Sequence, residues 1–207
     1  MSRCNALLKS ASALAVSLVL AAPGLAAGLT VPAYLPPPGI TLTRAVPQNA
    51  LMLRASQQVH PAYLRQIVDY PTSEHAGTIL VDTRTHFLYF VLGNGRALRY
   101  GIGVARAGFE WQGTHRVTRK AEWPGWTPPA EMRQRQPGLP AHMPGGPGNP
   151  LGARALYLGS TLYRIHGTNE PWTIGHNVSS GCIRMTNDDV IDLYARVKLN
   201  TKVVVLS

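Results

Sequence analysis

Residues 78–104 read TILVDTRTHFLYFVLGNGRALRYGIGV. Thr78-Ile-Leu-Val-Asp82 is a compact β-prone run, and His86-Phe-Leu-Tyr-Phe-Val-Leu92 is a second, rich in aromatic and branched side chains. Asp82-Thr-Arg-Thr85 lies between them as a turn. Gly93-Asn-Gly95 turns the chain again, into Arg96–Val104, where Ala97, Leu98, Tyr100, Ile102 and Val104 alternate in part. Strands joined by turns this short make a β-meander.

Thr114–Arg119 reads as a further strand. Ala155–Leu158 and Leu162–Ile165 form a pair around Gly159-Ser160, and Lys202–Leu206 closes the chain as a β-prone run. One helix stands out. Thr186-Asn-Asp-Asp189 resembles a capping box, with two carboxylates in the positive first turn. Val190, Leu193, Tyr194 and Val197 follow at the spacing of one apolar helical face. A short helix is expected around Tyr63–Asp69, with Pro61 near its start and Pro71 ending it. The pattern predicts a mainly β fold, a sandwich or partly closed barrel with one or two helices.

The regularity fails between Trp123 and Pro150. Pro128, Pro129, Pro137, Pro140, Pro144 and Pro147 punctuate the segment, and Gly145-Gly146 loosens it. An insertion this long without regular structure is either functional or disordered. Trp123, Trp126, Met132 and Met143 favour packing, so a Pro-rich lobe beside the active site is expected. A purely structural surface insertion is the other reading.

Arg3 and Lys9 precede a mostly apolar run, Ala11–Leu20, and small residues up to Ala27. That is the layout of a secretory signal peptide cleaved after Ala26 or Ala27. A membrane anchor is the competing reading, but Pro23, Gly24 and Pro32 interrupt a span that needs about 20 apolar residues. Three regions result: a signal peptide over 1–27, a Pro-rich linker and N-terminal extension over 28–76, and a catalytic domain over 77–207. Cleavage takes 20 basic residues to 18 against 10 acidic ones, a net charge of +8. Such a surface suits an anionic partner, whether nucleic acid, membrane or acidic wall polymer. Arg-rich usage has a second reading in genome composition.

Cleavage also removes Cys4 and leaves Cys182 alone. An unpaired cysteine in a secreted chain is a candidate reactive thiol, or else a buried inert one. Its setting decides. Tyr163-Arg-Ile-His166-Gly-Thr168 places a histidine after a predicted strand, and Val178-Ser-Ser-Gly-Cys182-Ile-Arg184 places the thiol after a turn of small residues. An imidazole can take the thiol proton, and a thiolate is the attacking species. Small residues before Cys182 admit a carbonyl and leave backbone N–H groups for the developing oxyanion. His60, His75, His86, His115, His142 and His176 are scattered and fit no metal spacing, so no metal is expected.

At His166-Gly167-Thr168 and Ser179-Ser180-Gly181-Cys182-Ile183-Arg184-Met185 the chain resembles the L,D-transpeptidase family with its YkuD-type catalytic domain. The resemblance runs from about Gly77 to Leu206 and includes Met143–Gly152. It implies the L,D-transpeptidase type of β fold and a reaction on peptidoglycan tetrapeptide stems. Cys182 would attack the bond to D-Ala, D-Ala would leave, and an amine would resolve the acyl-enzyme into a cross-link. His166 would serve as base and then acid, oriented by the backbone carbonyl of Gly167, with Asn169 only a loop polar residue. Gly167 and Gly181 would contribute orientation and the oxyanion site. Arg184, Ser180 and Thr168 would contact substrate.

Two positions depart from the best-known motif: Ser180 stands where many members have a second His, and Arg184 where many have Asn. Arg184 would hold a carboxylate of the donor, or else pair with Asp188 or Asp189 and brace the helix. The resemblance implies no cofactor, no nucleic-acid partner, a secreted periplasmic location and peripheral membrane association. It leaves the acceptor open among another stem peptide, an outer-membrane protein, a free D-amino acid and water. The last would make the chain an L,D-carboxypeptidase. A sortase-like enzyme and an inactive wall-binding module are the remaining alternatives.

Overall fold

The computed structural model describes residues 58–207. The expected signal peptide and the linker up to residue 57 lie outside the described residues.

A short 3-10 turn, Pro61–Tyr63, precedes eleven strands and two α-helices. The strands are β1 (Gln66–Asp69), β2 (Ile79–Asp82), β3 (Phe87–Gly93), β4 (Arg96–Gly101), β5 (Val104–Ala105), β6 (Gly113–Glu122), β7 (Arg154–Leu158), β8 (Arg164–His166), β9 (Asn177–Ser179), β10 (Ile183–Arg184) and β11 (Lys202–Leu206). The helices are α1 (Ala130–Arg135) and α2 (Asn187–Arg196). Nine strands form one sheet in the order β1-β4-β3-β2-β11-β6-β7-β8-β10, and β5 pairs with β9 apart from it.

β6 is the hinge of this sheet. Its first half pairs with β11 and its second half with β7, and the register shifts between Val117 and Arg119. A bulge of this kind bends a strand, which lets one long strand serve two sheet halves. Side chains from both halves meet in one apolar core: Ile79, Leu88 and Tyr100 from one, Leu156, Ile165 and Ile183 from the other. Gly103 exchanges both backbone hydrogen bonds with Arg184, at 2.9 and 2.8 Å, so the far edge strand β10 is tied back to the β4–β5 connection. The nine-stranded sheet itself stays open, with β1 and β10 at its edges, and the fold is mainly β with two helices, as the sequence leads one to expect.

Helix α2 forms for the reasons its sequence suggests. The Thr186 hydroxyl accepts a hydrogen bond from the Asp189 N–H, satisfying one orphan donor of the first turn. Val190, Leu193 and, just past the end, Val197 are buried. Lys120 reaches across from β6 and donates to the carbonyls of Tyr194 and Val197, each at 2.6 Å, capping the other end.

The expectation at residues 63–69 is corrected. The helical part is confined to Pro61–Tyr63, and Gln66–Asp69 is an edge strand antiparallel to β4. Ile67 and Val68 are β-branched and lose side-chain freedom in a helix, and β4 offers an open edge. The expected third strand also stops at Gly101, because Val104–Ala105 leaves the meander to pair with β9.

Candidate active site

β8 and β10 run parallel, with Ile183 opposite Ile165 and Arg184 opposite His166. The His166 carbonyl accepts from the Met185 N–H at 2.8 Å on one side of β10, and Gly103 holds Arg184 on the other. Cys182 sits immediately before this clamped strand, beside Arg164 at the start of β8. The turn leading into it is braced by Ser179, whose hydroxyl donates to the Cys182 carbonyl at 2.5 Å and accepts from the Gly181 N–H at 3.2 Å. Gly181 has φ 110°, a left-handed conformation that favours glycine. A β-carbon there would also stand 2.6 Å from the Tyr163 ring.

His166 is buried, with 4% of its surface exposed. Its Nδ1 lies 2.5 Å from the Gly167 carbonyl oxygen. A carbonyl only accepts, so Nδ1 carries the hydrogen and Nε2 carries the lone pair. Burial lowers the imidazole pKa to about 3. The carbonyls of Gly167 and Leu151 oppose that shift, and the charges of Arg184 and Arg164 add to it. The ring is therefore neutral throughout the physiological range. Asn187, the first residue of α2, accepts from the Ala153 N–H at 2.8 Å and lies over Gly167, leaving no room for a side chain there.

Cys182 is half-buried and is the free cysteine of the described residues. Its sulfur is 3.8 Å from the Leu162 carbonyl. Cys182, His166, Ser180 and Arg184 line one cleft of about 510 Å³. Trp126, Pro129 and Met132 of the Pro-rich lobe line it together with Phe109, Leu162 and Tyr163, which make the lining largely apolar. Arg135, Arg164 and Arg184 set positive charge around it against Glu131. The cleft is thus shaped for an apolar chain that carries negative charge. Among the described residues no group of three or more His, Cys, Asp or Glu is arranged to hold a metal ion.

The structure separates the sequence candidates. Cys182, His166, Ser180 and Arg184 share the cleft, with Gly167 and Gly181 directly behind them. Thr168 does not join them. It is 2% exposed, its hydroxyl accepts from the Glu170 N–H at 3.0 Å, and it faces a neighbouring hollow with Asp188 and Asp189. The peptide after His166 turns away to meet α2, which carries Thr168 out of the cleft. The N–H groups expected to be free are also partly used. Gly167 donates to the Arg154 carbonyl at 3.0 Å and Gly181 to Ser179, whereas the N–H groups of Ser180 and Cys182 have no partner among the described residues. Arg184 pairs with Glu170 at 2.9 Å, and with neither Asp188 nor Asp189. Asp189 is instead approached by Arg65 and by the N-cap threonine.

Sequence reasoning missed Arg164, Ser179 and Trp111. Arg164 precedes His166 by two on the same strand, so strand alternation was a usable signal. Ser179 reads as one more small turn residue. Trp111 donates to the Gly181 carbonyl across 70 residues of sequence, and nothing local announces it.

The YkuD family model, described as the L,D-transpeptidase catalytic domain, matches residues 76–205. The probable L,D-transpeptidase YbiS of Escherichia coli is 38% identical over 141 residues, covering 64% of this chain and 45% of that protein. A solved Brucella melitensis chain described as a probable carnitine operon oxidoreductase is 48% identical, covers 72% of this chain and 96% of its own, and superposes with a TM-score of 0.49. The structure described as the Ldtfm–avibactam carbamoyl enzyme has a TM-score of 0.52 at 18% identity, covering 65% of this chain and 50% of that one, a likeness of fold. The chain spans about half the length of the curated relatives it matches.

Proposed function

Because the chain belongs to the YkuD family of L,D-transpeptidase catalytic domains, we propose that it cross-links peptidoglycan through an acyl-enzyme on Cys182. The observation that carries this reading is the shared cleft of Cys182 and a His166 whose Nδ1 hydrogen is committed to Gly167. With Nδ1 occupied, Nε2 is left to take the thiol proton.

The steps follow from that arrangement. Nε2 of His166 accepts the proton from Sγ, and the thiolate attacks the carbonyl carbon of the peptide bond to D-Ala in a tetrapeptide stem. The carbonyl electrons move to oxygen, where the Cys182 N–H can donate. Burial and the flanking arginines disfavour a lasting imidazolium, so His166 readily returns the proton to the departing nitrogen. D-Ala leaves and a thioester remains. The amine of an acceptor stem then attacks the thioester, giving its proton to His166 and restoring the thiol. Arg184 keeps part of its guanidinium beyond the Glu170 contact and is suited to a donor carboxylate.

The segment up to Ala27 supports secretion to the periplasm, where this substrate lies. Mass spectrometry of muropeptides incubated with purified protein, with and without an amine acceptor, tests the reading. Released D-Ala together with acceptor-dependent cross-linked product is expected. Hydrolysed tripeptide alone would make the chain an L,D-carboxypeptidase, and unchanged tetrapeptide would contradict the proposal.

A further inference from the structure

We propose that Trp111 is a positioning residue for acylation, acting through the peptide unit that joins Gly181 to Cys182. The inference rests on the acyl-enzyme reading and adds to it a residue that lies outside the cleft. The indole Nε1–H donates to the Gly181 carbonyl at 2.6 Å. The ring is itself fixed. It stacks on Tyr163 with centroids 4.1 Å apart and planes 2° from parallel, and His115 meets it edge-on at 5.2 Å. Tyr163 in turn lies against the α-carbon of Gly181. Two aromatic rings therefore hold one peptide plane.

That plane matters because of what its other side carries. In a trans peptide the C=O of one residue and the N–H of the next point in opposite directions. The Gly181 carbonyl faces Trp111, on the side of a separate small cavity of about 250 Å³ that both residues line. The Cys182 N–H is thereby turned away from Trp111; Cys182 lines the cleft, and this N–H has no partner among the described residues. It is the donor best placed for the oxyanion formed when Sγ attacks.

Glycine at 181 makes the restraint necessary. With φ 110° and no side chain, this residue has more freedom to rotate its peptide than any other in the turn. The bond from Ser179 fixes the Cys182 carbonyl, one peptide further on, and leaves the 181–182 plane free. Without the indole donor, that plane can turn and take the Cys182 N–H out of register with the substrate carbonyl.

The test compares two reactions of one thiol. Opening of a carbapenem forms an Sγ–C bond and breaks the lactam C–N bond, and the thiol proton passes through His166 to the leaving nitrogen. It passes through an oxyanion. Alkylation by iodoacetamide displaces iodide at a saturated carbon and needs no oxyanion donor. Trp111→Phe keeps the stack on Tyr163 and removes the N–H. Its carbapenem acylation rate is expected to fall by about 10–10²-fold, short of the loss on deleting an oxyanion donor outright, with the alkylation rate and its pH profile unchanged.

Acylation within twofold of wild type would overturn the proposal. An equal fall in both rates would also overturn it, since it would assign Trp111 to the thiol or the fold. Should Trp111→Phe fold poorly, benzothienylalanine at position 111 replaces the N–H with sulfur at nearly constant shape and is read in the same way. If the wild type itself forms no adduct, the acyl-enzyme reading fails and this proposal falls with it. An adduct on the wild type with no change in the variant removes the role of Trp111 alone.

Discussion

His166 donates its Nδ1 hydrogen to the carbonyl oxygen of Gly167, the next residue in the chain, at 2.5 Å. The backbone carbonyl thus selects one tautomer and one ring orientation, as a carboxylate does for the histidine of a catalytic triad. Asn169, the nearby side chain that could have filled this place, reaches only the Gly148 carbonyl at 3.3 Å. His166→Ala should therefore lower the rate by about 10²–10⁴, the worth of a positioned acid–base group. Asn169→Ala should cost far less. Steady-state release of D-Ala by both variants checks this, and comparable losses would mean the orienting group is misassigned.

Burial of the same imidazole makes stability depend on pH. Its pKa falls from 6.5 in the unfolded chain to about 3 in the folded one, chiefly by desolvation. Between those values the unfolded state binds more protons, so this group's contribution to stability is lost as pH falls from about 6.5 toward 3. Urea unfolding at pH 7 and pH 4.5 should show a larger loss for wild type than for His166→Gln. Parallel losses would show that His166 does not titrate on unfolding as stated.

Arg184 and Glu170 form a pair that is open on the glutamate side, whose side chain is 42% exposed. Pairs of this exposure contribute about 0–1 kcal/mol. Arg184→Lys should leave the melting temperature nearly unchanged, yet raise KM or lower kcat, because an ammonium cannot reproduce a bidentate fork. A large stability loss with normal kinetics would remove Arg184 from the site.

Lys120 separates stability from catalysis. Its ammonium holds two carbonyls at the end of α2, far from the chemistry along the chain. Lys120→Met should cost about 1.5–3 kcal/mol, the range for hydrogen bonds to a charged group. For a domain of this size that is about 2–4 °C in melting temperature per kcal/mol. Rates per folded molecule should hold. Thermal unfolding and D-Ala release on one preparation decide.

What could be read in the sequence was local. Thr186 and the apolar spacing after it announce α2, and turn residues between β-prone runs announce β2, β3 and β4. Cys182 and His166, which line one cleft, stood out as candidates because both sit in short motifs. What was hidden depends on partners far along the chain. Gln66–Asp69 becomes a strand because β4 offers an edge, and the pairing of Arg184 with Glu170 depends on how the loop after His166 folds back. Thr168 reads as a substrate contact from its neighbours, but the turn after His166 faces it into another hollow. The Trp111–Gly181 bond spans separate elements and leaves no periodicity to detect.

The proposed acyl-enzyme requires Cys182 to be the nucleophile. Intact-mass measurement after incubation with a carbapenem, on wild type and Cys182→Ala side by side, tests it most directly. Cys182 is half-buried at a turn, so the alanine variant should fold and keep its melting temperature close to that of the wild type. One carbapenem mass is expected on wild type and none on Cys182→Ala. An adduct of the same mass on folded Cys182→Ala, or none on the wild type, would contradict that assignment.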